Sequence, residues 1–92
     1  MKFEIGRLVA TRGVHTRMVE DLSFMEFVGR SLGRHMDGDW GEICQEDEGI
    51  NEEALIVGNR VMSVYSHVDN TKVWVITEAD RSATTVLFPE EY

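Results

Sequence analysis

Eight carboxylates stand between Asp37 and Glu53 with no lysine or arginine among them: Asp37, Asp39, Glu42, Glu46, Asp47, Glu48, Glu52 and Glu53. Residues 1–36 carry six basic and four acidic groups, and residues 54–92 carry three basic and five acidic groups. The segment between them therefore accounts for a charge equal to that of the whole chain, −8. A compact field of one sign attracts a surface of the opposite sign and steers its approach. Trp40 lies inside this field, in Asp37-Gly38-Asp39-Trp40-Gly41, outside any apolar period. Two placements are open for the ring: folded back over the core, as most large aromatics are, or exposed as the anchor of a binding hot spot. The eight carboxylates and Trp40 form the candidate partner-binding site.

Other side chains capable of chemistry are less well arranged. Asp37, Asp39 and Glu42 could meet a calcium ion, but Asp-x-Asp-x-Gly lacks the later ligands of an EF-hand loop. His15, His35, His67 and Cys44 are the other metal-binding types, and none stands in a C-x-x-C or H-x-x-x-H arrangement. The spacing therefore predicts no metal site, and no cofactor is implied. His67 is expected on the solvent face of a strand and His35 at a helix C-terminus. Glu78, Asp80, Arg81 and Ser82 crowd into one turn. An enzyme would use them as a carboxylate base beside an arginine. The plainer reading is a turn held by Asp80, with Arg81 paired to a carboxylate on the surface. A Cys44 thiolate would be disfavoured among so many carboxylates. Gly29-Arg30-Ser31-Leu32-Gly33 falls inside a helical pattern and makes no phosphate cradle. Nothing here amounts to a catalytic signature, and the chain is read as a non-enzyme.

Ninety-two residues with 42% hydrophobic composition suit one domain, 1–92. The N-terminal residues lack the apolar run of a signal peptide, and no stretch reaches the ~18–20 apolar residues of a membrane span. A single cysteine forms no internal disulfide, so a cytoplasmic setting is expected. The acidic balance argues against direct contact with nucleic acid, whose affinity for proteins comes largely from lysine and arginine on phosphates.

The elements that must position these groups follow from periodicity. Phe3 to Arg12 reads as a strand ended by Gly13, and Val14 to Asp21 as a short helix. Ser23 to His35 is the main helix, opened by a Ser23–Glu26 capping box and carrying Phe24, Phe27, Val28 and Leu32 as an apolar stripe. The acidic segment has no clear period; Gly49 breaks it, and Asn51 caps a short helical turn. Val61 to Val68, Lys72 to Thr77 and Thr84 to Phe88 read as strands joined by turns at Asp69-Asn70-Thr71 and Ala79-Asp80-Arg81-Ser82, with Pro89 closing the last. The predicted fold is α+β: an antiparallel meander of three or four strands, with the main helix and shorter ones on one face. Phe24, Phe27, Val28 and Leu32 should be buried with Val64, Val73 and Val75, and Trp74 is expected in the core.

Several longer motifs resemble a widespread bacterial family. They are Phe3-x-Ile5-Gly6-Arg7-x-Val9-Ala10-Thr11, Arg34-His35-x-x-Gly38-Asp39-Trp40-Gly41, Asn51-x-x-Ala54-Leu55, Trp74-x-Ile76-Thr77-Glu78-Ala79-Asp80-Arg81-Ser82 and Leu87-Phe88-Pro89-Glu90-Glu91-Tyr92. The family comprises small single-domain proteins, often carried on plasmids and other mobile elements. The resemblance implies a bacterial or phage origin and supplies no reaction. Val14–Phe24 is the part that resembles it least.

The expected function is a protein-binding inhibitor of a nucleic-acid-handling defence complex, similar to anti-CRISPR proteins. Its acidic segment would imitate a phosphate array and occupy a basic surface, such as that of a CRISPR effector. The chain would act as a monomer or weak dimer. Two alternatives stand beside it: an enzyme or metal-dependent accessory using Asp37, Asp39 and Glu42 or the Glu78-Asp80-Arg81 turn, and a small structural subunit of a larger complex.

Overall fold

The computed structural model describes residues 2–92. The chain is α+β. In order it forms β1 (Arg7–Ala10), α1 (Arg12–Glu20), α2 (Leu22–Met36), α3 (Gln45–Val57), β2 (Val61–Ser66), β3 (Lys72–Thr77), β4 (Ala83–Leu87) and a 3-10 turn at Pro89–Glu91. The sheet order is β1-β4-β3-β2. Strands β2, β3 and β4 form the expected antiparallel meander, but β1 joins β4 in parallel, so the sheet is mixed. Both hairpin turns fall where their residues place them. Asp69 Oδ1 accepts from Thr71 N–H and Asp80 Oδ1 accepts from Ser82 N–H. Asn70 and Arg81 take the positive φ that each turn requires.

The first strand begins four residues later than its apolar pattern predicts. Gly6 has φ +61°, and a Cβ there would stand 2.4 Å from the Arg81 carbonyl oxygen. The chain bends against that turn before β1 starts, and Phe3 goes instead to a small cluster with Trp40, Ala54 and Val61. At the other end the strand stops at Ala10, and Gly13 lies within α1.

Helix α2 carries the main core. Phe24, Phe27 and Val28 are buried with Val14 of α1 and with Tyr65, Val73, Val75 and Val86 of the sheet, and Leu32 packs at the margin. Val64 does not join them. Alternation sends it to the opposite face, and Tyr65 takes the inward place. Asp21, rather than Ser23, caps the helix: its Oδ1 accepts from Phe24 N–H at 3.2 Å. Ser23 is exposed and faces His67, with 3.2 Å between Oγ and Nε2. Trp74 is half-buried on the other face of the sheet, its ring 5.3 Å from that of Tyr92. The C-terminal turn reaches across to α1, where the Glu91 carboxylate accepts from Thr11 Oγ1 and Gly13 N–H. This supplies the N-terminal cap that Thr11 itself does not make.

The acidic segment is more regular than its sequence pattern. Helix α3 runs through Gly49, and Asn51 is in its interior, not at its N-cap. Cys44 stands at the cap position and Glu46, Asp47 and Glu48 fill the first turn, where the helix dipole favours carboxylates. Gly58, at φ +84°, ends the helix.

Two stability outcomes follow. Phe27→Ala should lower the unfolding free energy by about 3–5 kcal/mol in urea titration, the usual range for deleting a core aromatic. A loss under ~1 kcal/mol would contradict the packing of α2. Gly49→Ala should raise stability by about 0.5–1 kcal/mol, because the position is helical and nothing lies within 4 Å of an added Cβ. A destabilised Gly49→Ala protein would mean that α3 is not continuous there.

Candidate functional site

All eight carboxylates of the acidic segment are exposed, but they do different work. Asp39 is held by a two-pronged contact from Arg34, at 2.7 Å from Nε and 3.1 Å from Nη2, and also accepts from Gly41 N–H. The Arg34 guanidinium lies over the Tyr65 ring, and the Tyr65 hydroxyl donates to the Asp39 carbonyl at 2.6 Å. The hydrogen bond from Arg34 holds the Asp39 carboxyl below its ordinary range. Glu42 accepts from Lys72 Nζ and Ser66 Oγ, each at 3.0 Å, and Lys72 first and Ser66 second lower its pKa. Glu52 accepts from the Trp40 indole N–H at 2.8 Å. These three carboxylates fasten the loop between α2 and α3 to the rest of the fold.

Trp40 is 3% exposed. Of the two placements open in the sequence, the structure takes the core one, and the ring is not presented as a surface anchor. Its neighbour Gly41, at φ +74°, pairs with Val64 so closely that a Cβ would lie 2.0 Å from the Val64 carbonyl oxygen. Glycine is the residue that allows the loop to run along β2 here.

Most of the segment's charge is concentrated on α3. Glu46, Asp47, Glu48, Glu52 and Glu53 are all exposed on one helix. Ile50, Ile56 and Val57 are exposed beside them, Ile56 to 85%. Only Asn51 and Ala54 of this helix are buried. Glu46, Ile50, Glu53 and Val57 fall at i, i+4, i+7 and i+11, so carboxylate and aliphatic side chains alternate along one stripe. The sequence pattern identified the charge but not this apolar component.

The Glu78-Asp80-Arg81 turn is built differently from the expected surface pair. Arg81 donates to three backbone carbonyls, those of Asn59 at 2.7 Å, Glu78 at 3.1 Å and Ala54 at 3.2 Å. It thus closes the C-terminal end of α3 with a cation, as the helix dipole favours. Asp80 serves the turn, where the hydroxyl and amide of Ser82 lower its pKa. Of the two acidic groupings proposed for catalysis, Asp39, Glu42 and Asp80 are engaged in hydrogen bonds within the fold. Among the described residues, no three His, Cys, Asp or Glu side chains gather as metal ligands.

Two histidines lie where the sequence did not put them. His67 is buried, not on a solvent face, with its ring 4.8 Å from that of Phe27 and 5.9 Å from that of Phe24. His35 is fully buried and is no cationic cap. Its Nδ1 lies 2.5 Å from Ser63 Oγ and its Nε2 2.9 Å from Thr77 Oγ1. Thr77 Oγ1 lies 2.7 Å from Thr84 Oγ1, which donates to the Ile5 carbonyl at 2.7 Å. The terminal carbonyl sets the direction of every link, because it can only accept. Thr84 spends its proton on Ile5, so Thr77 must donate to Thr84 and His35 Nε2–H to Thr77. The chain thus places a proton on Nε2, and burial keeps the ring neutral, which leaves Nδ1 as the acceptor from Ser63. A hydroxyl on either side of a histidine at Gly33-Arg34-His35 leaves no trace in local sequence, since Ser63 and Thr77 are remote from it.

Comparison with protein-family models, with curated proteins and with solved structures finds no match to this chain.

Burial, and secondarily the Arg81 charge, lowers the His35 pKa to about 4. In the unfolded chain the ring titrates at about 6.5. Between these values the unfolded state binds a proton that the folded state refuses. Stability is thus fully present above about pH 6.5 and is lost as pH falls through about 4, by roughly 3 kcal/mol. Urea midpoints from pH 7 to 4 should show this slope, and His35→Gln should flatten it. Equal slopes in the two proteins would place the titration elsewhere.

Proposed function

We propose that this chain is a non-enzymatic protein-binding module that acts in the cytoplasm as an inhibitor of a nucleic-acid-handling complex, in the manner of anti-CRISPR proteins. One observation supports this reading above the rest: α3 exposes five carboxylates together with Ile50, Ile56 and Val57. Single exposed aliphatics also occur at Val19, Leu22 and Val68, but α3 joins three of them to five carboxylates on one element. Helices that dock into grooves combine an apolar stripe with charged flanks, and the centre of an interface is more apolar than its rim. The complementary partner has a groove with an apolar floor and basic walls. Basic grooves of this kind accommodate nucleic acid in the proteins that handle it, and an acidic helix seated there excludes it.

The division of labour among the carboxylates selects the variants. Asp39, Glu42 and Glu52 are engaged within the fold and are left alone. Glu46→Gln, Asp47→Asn, Glu48→Gln and Glu53→Gln together remove four charges with little change of shape. The wild-type chain, immobilised at low salt, should retain a basic protein from a bacterial host that added DNA or RNA displaces. The four-fold variant should bind it at least tenfold more weakly. Raising the salt should weaken the wild-type complex, because exposed pairs are screened beyond about 8–10 Å. Ile56→Ser should speed dissociation more than it slows association. A ternary complex in which nucleic acid and this chain bind together without mutual loss would rule out exclusion. Retention unaffected by the four substitutions would remove α3 from the interface.

A further inference from the structure

The two edges of the sheet are treated in opposite ways. On β2, Met62 N–H donates to Asn51 Oδ1, and the Met62 carbonyl accepts from Asn51 Nδ2. Val64 N–H donates to the Trp40 carbonyl, and the Val64 carbonyl accepts from Glu42 N–H. A side-chain amide and a loop thus occupy the outward groups of the strand. On β1, Arg7 N–H donates to the Ser82 carbonyl and Thr11 N–H to the Val86 carbonyl. The alternation of a parallel ladder therefore turns the N–H and C=O of Leu8 and Ala10 away from β4. β1 is the end strand, and all four of its residues are exposed.

This open edge has an apolar floor. Leu8 and Ala10 lie opposite Thr84 and Val86, whose side chains face the helices. With Met18, Val28, Leu32 and Val86, and with His15 as a polar side chain among them, they line a groove of about 280 Å³. Leu8 is 53% exposed. No carboxylate lines the groove. Arg7 and Arg12 stand at the two ends of the strand, exposed, and neither guanidinium has a hydrogen bond or ion pair among the described residues.

We propose that the β1 edge accepts an extended strand from a partner protein, with apolar side chains entering the groove and a carboxylate at each end meeting Arg7 and Arg12. Such strand addition draws affinity from main-chain hydrogen bonds and selectivity from the pockets beneath alternate side chains. Free N–H and C=O groups at Leu8 and Ala10 supply the first, and the groove supplies the second. A second copy of this chain fits less well. An antiparallel pair centred on Val9 would set Arg7 of each copy beside Thr11 and Arg12 of the other, joining like charges between two chains that each carry −8. This surface is at the opposite end of the sheet from α3 and does not rest on the function proposed for that helix.

Two blocked, fluorescent seven-residue peptides test it: Glu-Val-Thr-Val-Thr-Val-Glu, and the same sequence with lysine at both ends. The acidic peptide should bind at least tenfold more tightly and should slow hydrogen exchange at the Leu8 and Ala10 amides. Arg7→Glu with Arg12→Glu should reverse the preference between the peptides. Leu8→Lys should abolish binding of the acidic peptide. Retained protection of the Phe24 and Val75 amides would show that each variant is folded. Unprotected Leu8 and Ala10 amides at millimolar acidic peptide would overturn the proposal, as would a preference that survives the double reversal. Protection of those amides in the free protein, rising with its concentration alongside a doubled mass, would assign the edge to a second copy and also overturn it.

Discussion

A neutral imidazole holds the layers of this molecule together. His35 comes from α2, Ser63 from β2, Thr77 from β3, Thr84 from β4, and the chain of hydrogen bonds ends on the Ile5 carbonyl just before β1. Each link spans a different pair of elements, so the chain fixes their relative positions. Because side chains alternate between faces, a one-residue slip of β3 against either neighbour would turn Thr77 to the opposite face and leave a buried donor or acceptor without its partner. Such a loss costs about 1–3 kcal/mol for a neutral group, which is large against the stability of a domain this size. The polar chain therefore specifies register, while Phe24, Phe27, Val73 and Val75 supply the burial that stabilises whichever register is chosen.

His35 also connects the two apolar clusters. The Phe3 and Trp40 rings make T-shaped contacts with it, ring centres 5.3 and 5.7 Å away. Trp40 in turn donates to Glu52 on α3. Displacing the imidazole would thus affect the main core through Ser63 and Thr77 and the seating of α3 through Trp40. The loop from Asp37 to Cys44 is short and acidic, yet it is tied at Asp39, Trp40, Gly41 and Glu42. This gives α3 a rigid base even though little of its own surface is buried, and a preorganised element loses less freedom on binding. The asymmetry of the sheet has the same origin. The loop and Asn51 close the β2 edge because α3 is anchored there, and no comparable segment follows β1, where the chain turns directly into α1.

Much of the fold was legible in the sequence. The stripe at Phe24, Phe27, Val28 and Leu32 fixed α2, and the alternation through Val61–Ser66 and Lys72–Thr77 with turn residues between fixed the hairpin. What was not legible depends on distant residues. The partner of β1 could not be read because parallel pairing with β4 joins residues more than seventy positions apart. Asp21 displaced Ser23 as the cap because α1 ends immediately before it. Arg81 reads as a surface cation until the end of α3 brings the Ala54 and Asn59 carbonyls to it. The central place of Trp74 in a strand predicts a core residue, but its face of the sheet is covered only in part, by Tyr92.

Helix α3 failed to read as a helix for a more informative reason. Periodicity detects helices by the stripe they bury, and α3 buries only Asn51 and Ala54. The side chains that spoil its period are Ile50, Ile56 and Val57, which the fold leaves in water. Gly49 adds a second local contradiction, since it weakens a helix in a position where no neighbour requires a glycine. Sequences that specify a fold are consistent across levels, and local inconsistencies collect where function opposes stability. In this chain, apolar exposure and an unneeded glycine coincide on one element. Neither stabilises the isolated domain, and both suit the docking role proposed for α3.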